Sequence, residues 1–208
     1  VTTKLELYND ALLILGERKL ASLSENREPR RALDDAYDKA VDYCLEQGYF
    51  NFSMRSVQID SSASVVPAFG YSFAFVKPGD FIRMYRQSQF PQLEPPLLNV
   101  TDEPGYWYAN CDPLYVKYVS NDTAYGKDLS LWSETFADYV AMRLALKTCK
   151  RITGKEPDDV LIKGEKKARM DARAKDAMNE PPGFPPTGTW VQARRSFNSG
   201  SRRDDPFN

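Results

Sequence analysis

The hydrophobic period of this chain changes twice, and that change restricts its fold more than any other feature. Up to Gly48 apolar residues recur at helical spacing, from Tyr49 to about Asn121 they alternate with a period of two, and from Ser133 the helical spacing returns. Repeated alternation of strands with helices, as in a doubly wound or barrel fold, is thereby excluded. What remains is an α+β fold: a bundle of about four helices carrying an inserted antiparallel β-domain, either a sheet or a small barrel. The expected division is 1–49 with 130–180 as the bundle, 50–129 as the β-rich insertion and 181–208 as an extended tail.

Each element has its own signal. The first helix is expected from Leu5 to Leu15, with Leu5, Tyr8, Leu12 and Leu15 on one face and Gly16 as its stop. Pro29 marks the first turn of the second, where Leu33, Tyr37, Ala40, Val41, Cys44 and Leu45 form the apolar stripe. Strand character is read in Phe50, Phe52 and Met54, in Phe69 to Phe75, and in runs at Phe81–Tyr85, Tyr106–Tyr108 and Leu114–Val119. Between them Lys77-Pro78-Gly79-Asp80, Pro91, Pro95-Pro96 and Asp102-Glu103-Pro104-Gly105 read as turns. Ser133 is the expected cap of a third helix running to about Arg151 and apolar around most of its circumference, the pattern of a helix with several neighbours. A fourth, from Pro157 to about Asn179, has only the thin stripe Leu161, Ala168 and Ala172, so it either lies exposed or covers itself with a partner. No apolar run approaches the roughly 20 residues of a membrane span, and the first residues lack the pattern of a signal peptide.

Composition removes functions. The 208 residues include no histidine, which eliminates the Ser-His-Asp triad, the Cys-His dyad and His-ligated zinc. Cys44, Cys111 and Cys149 are odd in number and dispersed, which argues for a reducing origin and against a disulfide framework or thiolate metal site; no metal or other cofactor is expected. Gly126-Lys127 and Gly154-Lys155 fail as phosphate loops, with Asn121 and Cys149 in place of the first glycine. Glu17, Glu46 and Glu134 could serve a glycosidase only if the fold paired two of them across a cleft. Tyr106-Trp107-Tyr108, with Tyr115 and Tyr118, reads as core because it lacks the basic neighbours of a single-strand binding surface.

Two surface features stand out. Asp34, Asp38 and Asp42 stack along one face of the second helix and either bind a cation, line an electronegative surface, or form a solvated face neutralised by Arg30, Arg31 and Lys39. The tail carries Trp190, Phe197 and Phe207 among Arg194, Arg195, Arg202 and Arg203 in a Pro-rich segment, either anchors that order on a partner or a frayed terminus.

An ordered set of segments resembles the tail tubular protein A family, the head-to-tail adaptors of short-tailed phages. It begins with Tyr8-Asn9-Asp10-Ala11-Leu12, Leu15-Gly16-Glu17, Leu23 and Arg30-Arg31-Ala32-Leu33, and continues through Gln47-Gly48-Tyr49-Phe50-Asn51-Phe52. Phe75-Val76-Lys77-Pro78-Gly79-Asp80-Phe81, Pro95-Pro96-Leu97-Leu98, Tyr108-Ala109-Asn110, Asp112 to Val119 and Phe136-Ala137-Asp138-Tyr139-Val140-Ala141 extend it over most of residues 5–180. The resemblance implies a structural, non-enzymatic virion protein made in a bacterial cytoplasm. Such proteins form a ring, typically of twelve subunits, between the portal protein and a tail nozzle protein resembling tail tubular protein B, and double-stranded DNA passes through the lumen. It also implies that the segment from Trp190 to Phe207 docks on the portal and that Asp34, Asp38 and Asp42 face the lumen or a neighbour. A formal net charge of −1 suits a conduit that must not hold DNA tightly. A neck protein of a long-tailed phage and a virion-borne peptidoglycan hydrolase are the alternative expectations.

Overall fold

A computed structural model describes residues 2–179. The element order is α1 (Lys4–Ile14), α2 (Glu28–Glu46), β1 (Met54–Ile59), β2 (Phe73–Val76), β3 (Phe81–Ser88), β4 (Thr101–Glu103), β5 (Tyr106–Ala109), β6 (Leu114–Ser120), α3 (Glu134–Thr153) and α4 (Asp159–Asn179). The fold is α+β. Contacts divide the chain after Ala177, and of the second part only the end of α4 is described.

The helix ends are set by side chains. The Thr3 hydroxyl accepts from the Glu6 backbone N–H while the Glu6 carboxylate accepts from Thr3 N, a capping box that starts α1. Ser133 Oγ accepts from Phe136 N at 3.3 Å to start α3, and Gly154 ends it in the left-handed conformation at φ 72°, where a β-carbon would be strained. The Asp158 carboxylate accepts from Leu161 N at 2.8 Å, so α4 begins after Asp158 rather than at Pro157.

Within the bundle α3 packs on both α1 and α2, which explains its apolar circumference. The core is built from Leu7, Tyr8, Ala11 and Leu12 of α1, Leu33, Ala40, Val41, Cys44 and Leu45 of α2, and Phe136, Tyr139, Val140 and Leu144 of α3. The buried face of α1 thus centres on Leu7, Tyr8, Ala11 and Leu12; Leu5 and Leu15, expected on the stripe, lie at its margin. Phe136 joins the bundle to the adjoining chain, with ring centroids 4.7 Å from Phe50, 4.9 Å from Phe52 and 4.9 Å from Trp132. Helix α4 is seated by Leu161, Ala168 and Ala172, but Glu165 is buried among them, which is why its stripe reads as thin.

The β-region is two three-stranded antiparallel sheets, ordered β1-β6-β3 and β2-β5-β4, and the described residues form no closed barrel. Phe75, Trp107 and Ala109 of the second sheet and Leu114, Val116 and Tyr118 of the first share one apolar cluster. Two strand expectations shift. Phe50 and Phe52 flank β1 in a 3-10 turn (Asn51–Ser53) whose rings serve the helical core, and only Phe73 onward of the Phe69–Phe75 run is paired. Thr101–Glu103, whose last two residues read as part of a turn, forms β4, because Glu103 pairs with Tyr106 across the tight turn at Pro104-Gly105. Backbone pairing decided that assignment against the local turn signal.

Candidate functional site

The acidic row on α2 is neutralised from within the chain. Asp34 accepts the Tyr8 hydroxyl at 2.7 Å and pairs with Lys4 at 3.4 Å and with Arg30. Burial alone would raise its carboxyl, but the Tyr8 hydrogen bond and the Lys4 and Arg30 charges overcome that and hold it below the usual carboxylate range. Lys127 reaches both Asp38, at 3.2 Å, and Asp42, at 3.3 Å, and Asn121 donates to Asp42 at 3.2 Å. Of the three cations expected to balance the row, Arg30 does so. Arg31 instead donates to Asn26, and Lys39 forms no salt bridge among the described residues. The loop between β6 and α3 supplies Lys127, and its approach to α2 is close: a β-carbon on Gly126 would sit 2.2 Å from Ser120 O and 2.8 Å from Leu45 Cδ1.

Asp80, read only as part of a turn, ties three strands together. Its carboxylate accepts from Arg55 at 2.9 Å and from the buried Tyr118 hydroxyl at 3.0 Å, and from Ser120 Oγ. Burial pushes its pKa up, yet these donors hold it low. Lys77 in the same stretch pairs with Asp102 and lies 5.5 Å from the Trp107 ring centroid. The Phe75–Phe81 stretch is therefore a joint of the β-region. Of the aromatics expected in the core, Trp107, Tyr108 and Tyr118 are buried, whereas Tyr106 and Tyr115 are only half-buried.

A groove of about 430 Å³ between α1, α3 and α4 has no sequence signal of its own. Asp10 and Leu13 of α1, Asp138 and Met142 of α3 and Lys167 and Asp171 of α4 line it. Leu13 is 64% exposed there. The carboxyls of Asp10 and Asp138 are both raised, by partial burial first and then by negative neighbours: Glu6 and Glu134 for Asp10, against an opposing Lys19, and Asp10 and Glu134 for Asp138. Asp10 and Asp138 are 128 positions apart, so only the packing of α1 on α3 could bring them together.

A second unanticipated surface lies where α2 ends and β3 passes. The Tyr49 and Tyr85 rings meet edge to face at 5.1 Å, Arg83 lies 4.2 Å from the Tyr49 centroid, and Lys117 and Arg86 lie 5.2 and 5.7 Å from that of Tyr85. Bulges in β3 on either side of Arg83-Met84 break its alternation, so no period-2 reading would have grouped these residues.

The carboxylates considered for glycosidase chemistry are dispersed. Glu17 lines one groove of about 440 Å³ with Glu156 and Asp158, Glu46 lines another of about 300 Å³ with Arg83 and Arg173, and Glu134 borders neither. Among the described residues no three His, Cys, Asp or Glu side chains are grouped to hold a metal ion, and no helix is long and apolar enough to cross a membrane. Trp190, Arg194, Arg195, Phe197, Arg202, Arg203 and Phe207 lie outside the described residues. No protein-family model matches the chain, and no curated protein matches it.

Proposed function

We propose that the chain is a structural subunit of a phage head-to-tail adaptor, a homo-oligomeric ring that joins the portal to the tail nozzle and lets double-stranded DNA pass. The ordered resemblance over residues 5–180 motivates this reading. The observation that carries it is α4: the helix is seated by a thin apolar strip around Glu165, while Val160, Ile162 and Met170 are exposed along its length. A long helix with that much apolar surface open is suited to burial against a neighbouring subunit.

In this reading Asp38, 74% exposed despite its bond to Lys127, is the member of the Asp34/Asp38/Asp42 row most open to the lumen or to a neighbour. The segment from Trp190 to Phe207 docks on the portal. The test is sedimentation and electron microscopy of the full chain with and without its portal protein, beside a chain truncated after Glu180. A portal-bound ring from the full chain and loss of portal binding on truncation are expected. A chain that stays monomeric and unbound beside its portal overturns the proposal, and unchanged portal binding by the truncated chain overturns the role of the tail.

A further inference from the structure

The ring reading leaves open which surfaces of the subunit meet, and the geometry of α4 bears on that question. At about 100° per residue, Gly164, Lys167, Ala168 and Asp171 fall on one flank of the helix and Arg169 and Arg173 on the other, with Glu165 and Ala172 buried between them. The first flank walls the groove that holds Asp10, Leu13 and Asp138. The second stands beside Gln47 and the Arg83–Tyr49–Tyr85 surface: Arg169 donates to Gln47 at 3.4 Å, and Arg173 lines the same shallow cavity as Arg83.

These flanks are complementary in charge. The groove presents three carboxylates (Asp10, Asp138 and Asp171) against one cation, Lys167, and among the described residues none of these four forms a salt bridge. Its apolar floor is open through Leu13 and Met142. The other flank presents Arg83, Arg169, Arg173 and Lys117 around two exposed tyrosines, none of the four in a salt bridge among the described residues. Arg83 donates to the Glu46 carbonyl at 3.1 Å. The carboxylates there are Glu46 and Asp176, the latter accepting from Asn51 N at 3.1 Å, so cations are in excess. Tyr and Arg, with Trp, are the side chains most enriched among the anchors of protein–protein contacts.

We infer that the Tyr49–Arg83–Tyr85 surface of one copy seats in the Asp10–Asp138–Asp171 groove of the next, forming a head-to-tail contact. With acid and base on opposite flanks of one helix, each copy can offer its basic surface to one neighbour and its acidic groove to the other, and such a heterologous contact gives a ring where its rotation closes. This inference rests on the ring reading above and names the surfaces that make it.

The test uses the full chain with its portal protein and two variants, Asp10→Lys with Asp138→Lys, and Arg83→Glu with Lys117→Glu. Thermal unfolding confirms that each is folded, and Arg83→Ala with Lys117→Ala replaces a reversal that is not. Each reversed variant alone should assemble at least about tenfold less than wild type, the equivalent of about 1.4 kcal/mol. An equimolar mixture should assemble into rings in which the two alternate, since each then offers the charge that the other lacks. Rings from either reversed variant alone, at the wild-type level, overturn this contact while leaving the ring reading standing. A wild-type chain that never forms a ring overturns both. Loss of binding to a 30-base-pair duplex by the Arg83→Glu, Lys117→Glu variant, with assembly unchanged, makes the patch a DNA surface and also overturns the contact.

Discussion

Two acidic clusters sit on the helical bundle, one along α2 and one in the groove lined by α1, α3 and α4, and they differ in how their charge is met. Asp34, Asp38 and Asp42 are conspicuous in the sequence, four residues apart on one helix, and the fold supplies each with a donor: Tyr8, Lys4 and Arg30 for the first, Lys127 and Asn121 for the others. Asp10 and Asp138 are inconspicuous, yet packing brings them together without a salt bridge among the described residues, and their carboxyls are raised rather than lowered. Stacked carboxylates are visible because helical spacing is local. Whether they are satisfied is decided by residues distant in sequence, such as Lys127 on a loop 85 or more positions away. A patterned charge row is thus weak evidence of an open surface, and an unpatterned pair can be stronger.

The comparison breaks most severely at Gly126. A methyl group there meets the Ser120 carbonyl at 2.2 Å and Leu45 at 2.8 Å, so the loop that carries Lys127 to the row must lift off α2. The Trp132 indole N–H, which donates to the Gly126 carbonyl at 2.9 Å, would be displaced with it. Gly126→Ala should cost about 3 kcal/mol or more of stability, by overpacking together with a lost buried hydrogen bond. Urea denaturation checks this, and a change below about 1 kcal/mol would mean that the loop relaxes freely.

Asp34→Ala is next in size. Tyr8 is fully buried, and removing its acceptor leaves a phenol without a partner, at a cost of about 1–3 kcal/mol. The matched variant Tyr8→Phe with Asp34→Ala should recover part of that loss, because no buried donor is then stranded. A double variant as unstable as Asp34→Ala would show that the Lys4 and Arg30 pairs carry the effect instead.

Much of the architecture was legible before the structure because the relevant signals are local. Helical spacing, the Ser133 cap and Gly154 located α3, and short apolar runs between turn signals located β3, β5 and β6, with ends that moved by a few residues. What could not be read depended on pairing across the chain. Thr101–Glu103 is a strand only because β5 folds back on it. The partition into two sheets rather than a barrel depends on which strands share hydrogen bonds, and alternation does not encode that. Glu165 in the seat of α4 is a charged residue where the pattern calls for an apolar one. The candidate surfaces were the least legible, since the Asp10–Asp138 pair and the Arg83–Tyr49 stack each join segments far apart in sequence.

The smallest effect gives the most direct contrast between the clusters, because its sign differs. A carboxyl held below its unfolded pKa, as at Asp34 and Asp80, adds stability that is present above the ordinary carboxylate range and is lost as the pH falls from there through the lowered folded value. For Asp10 and Asp138 the folded value lies above the unfolded one, so the native state binds protons more readily, and stability rises as the pH falls through that raised value. Asp10→Asn and Asp138→Asn should therefore each stabilise the fold at pH 7, by up to about 0.5 kcal/mol, since both side chains are largely exposed and screened by solvent. The gain should vanish below about pH 4, where the wild-type carboxyls are protonated too. Thermal unfolding of both variants from pH 3 to 8, at low salt where the repulsion is least screened, measures it. A loss of stability at pH 7 would mean that the groove carboxylates are satisfied after all, and the contrast between the two clusters would fail.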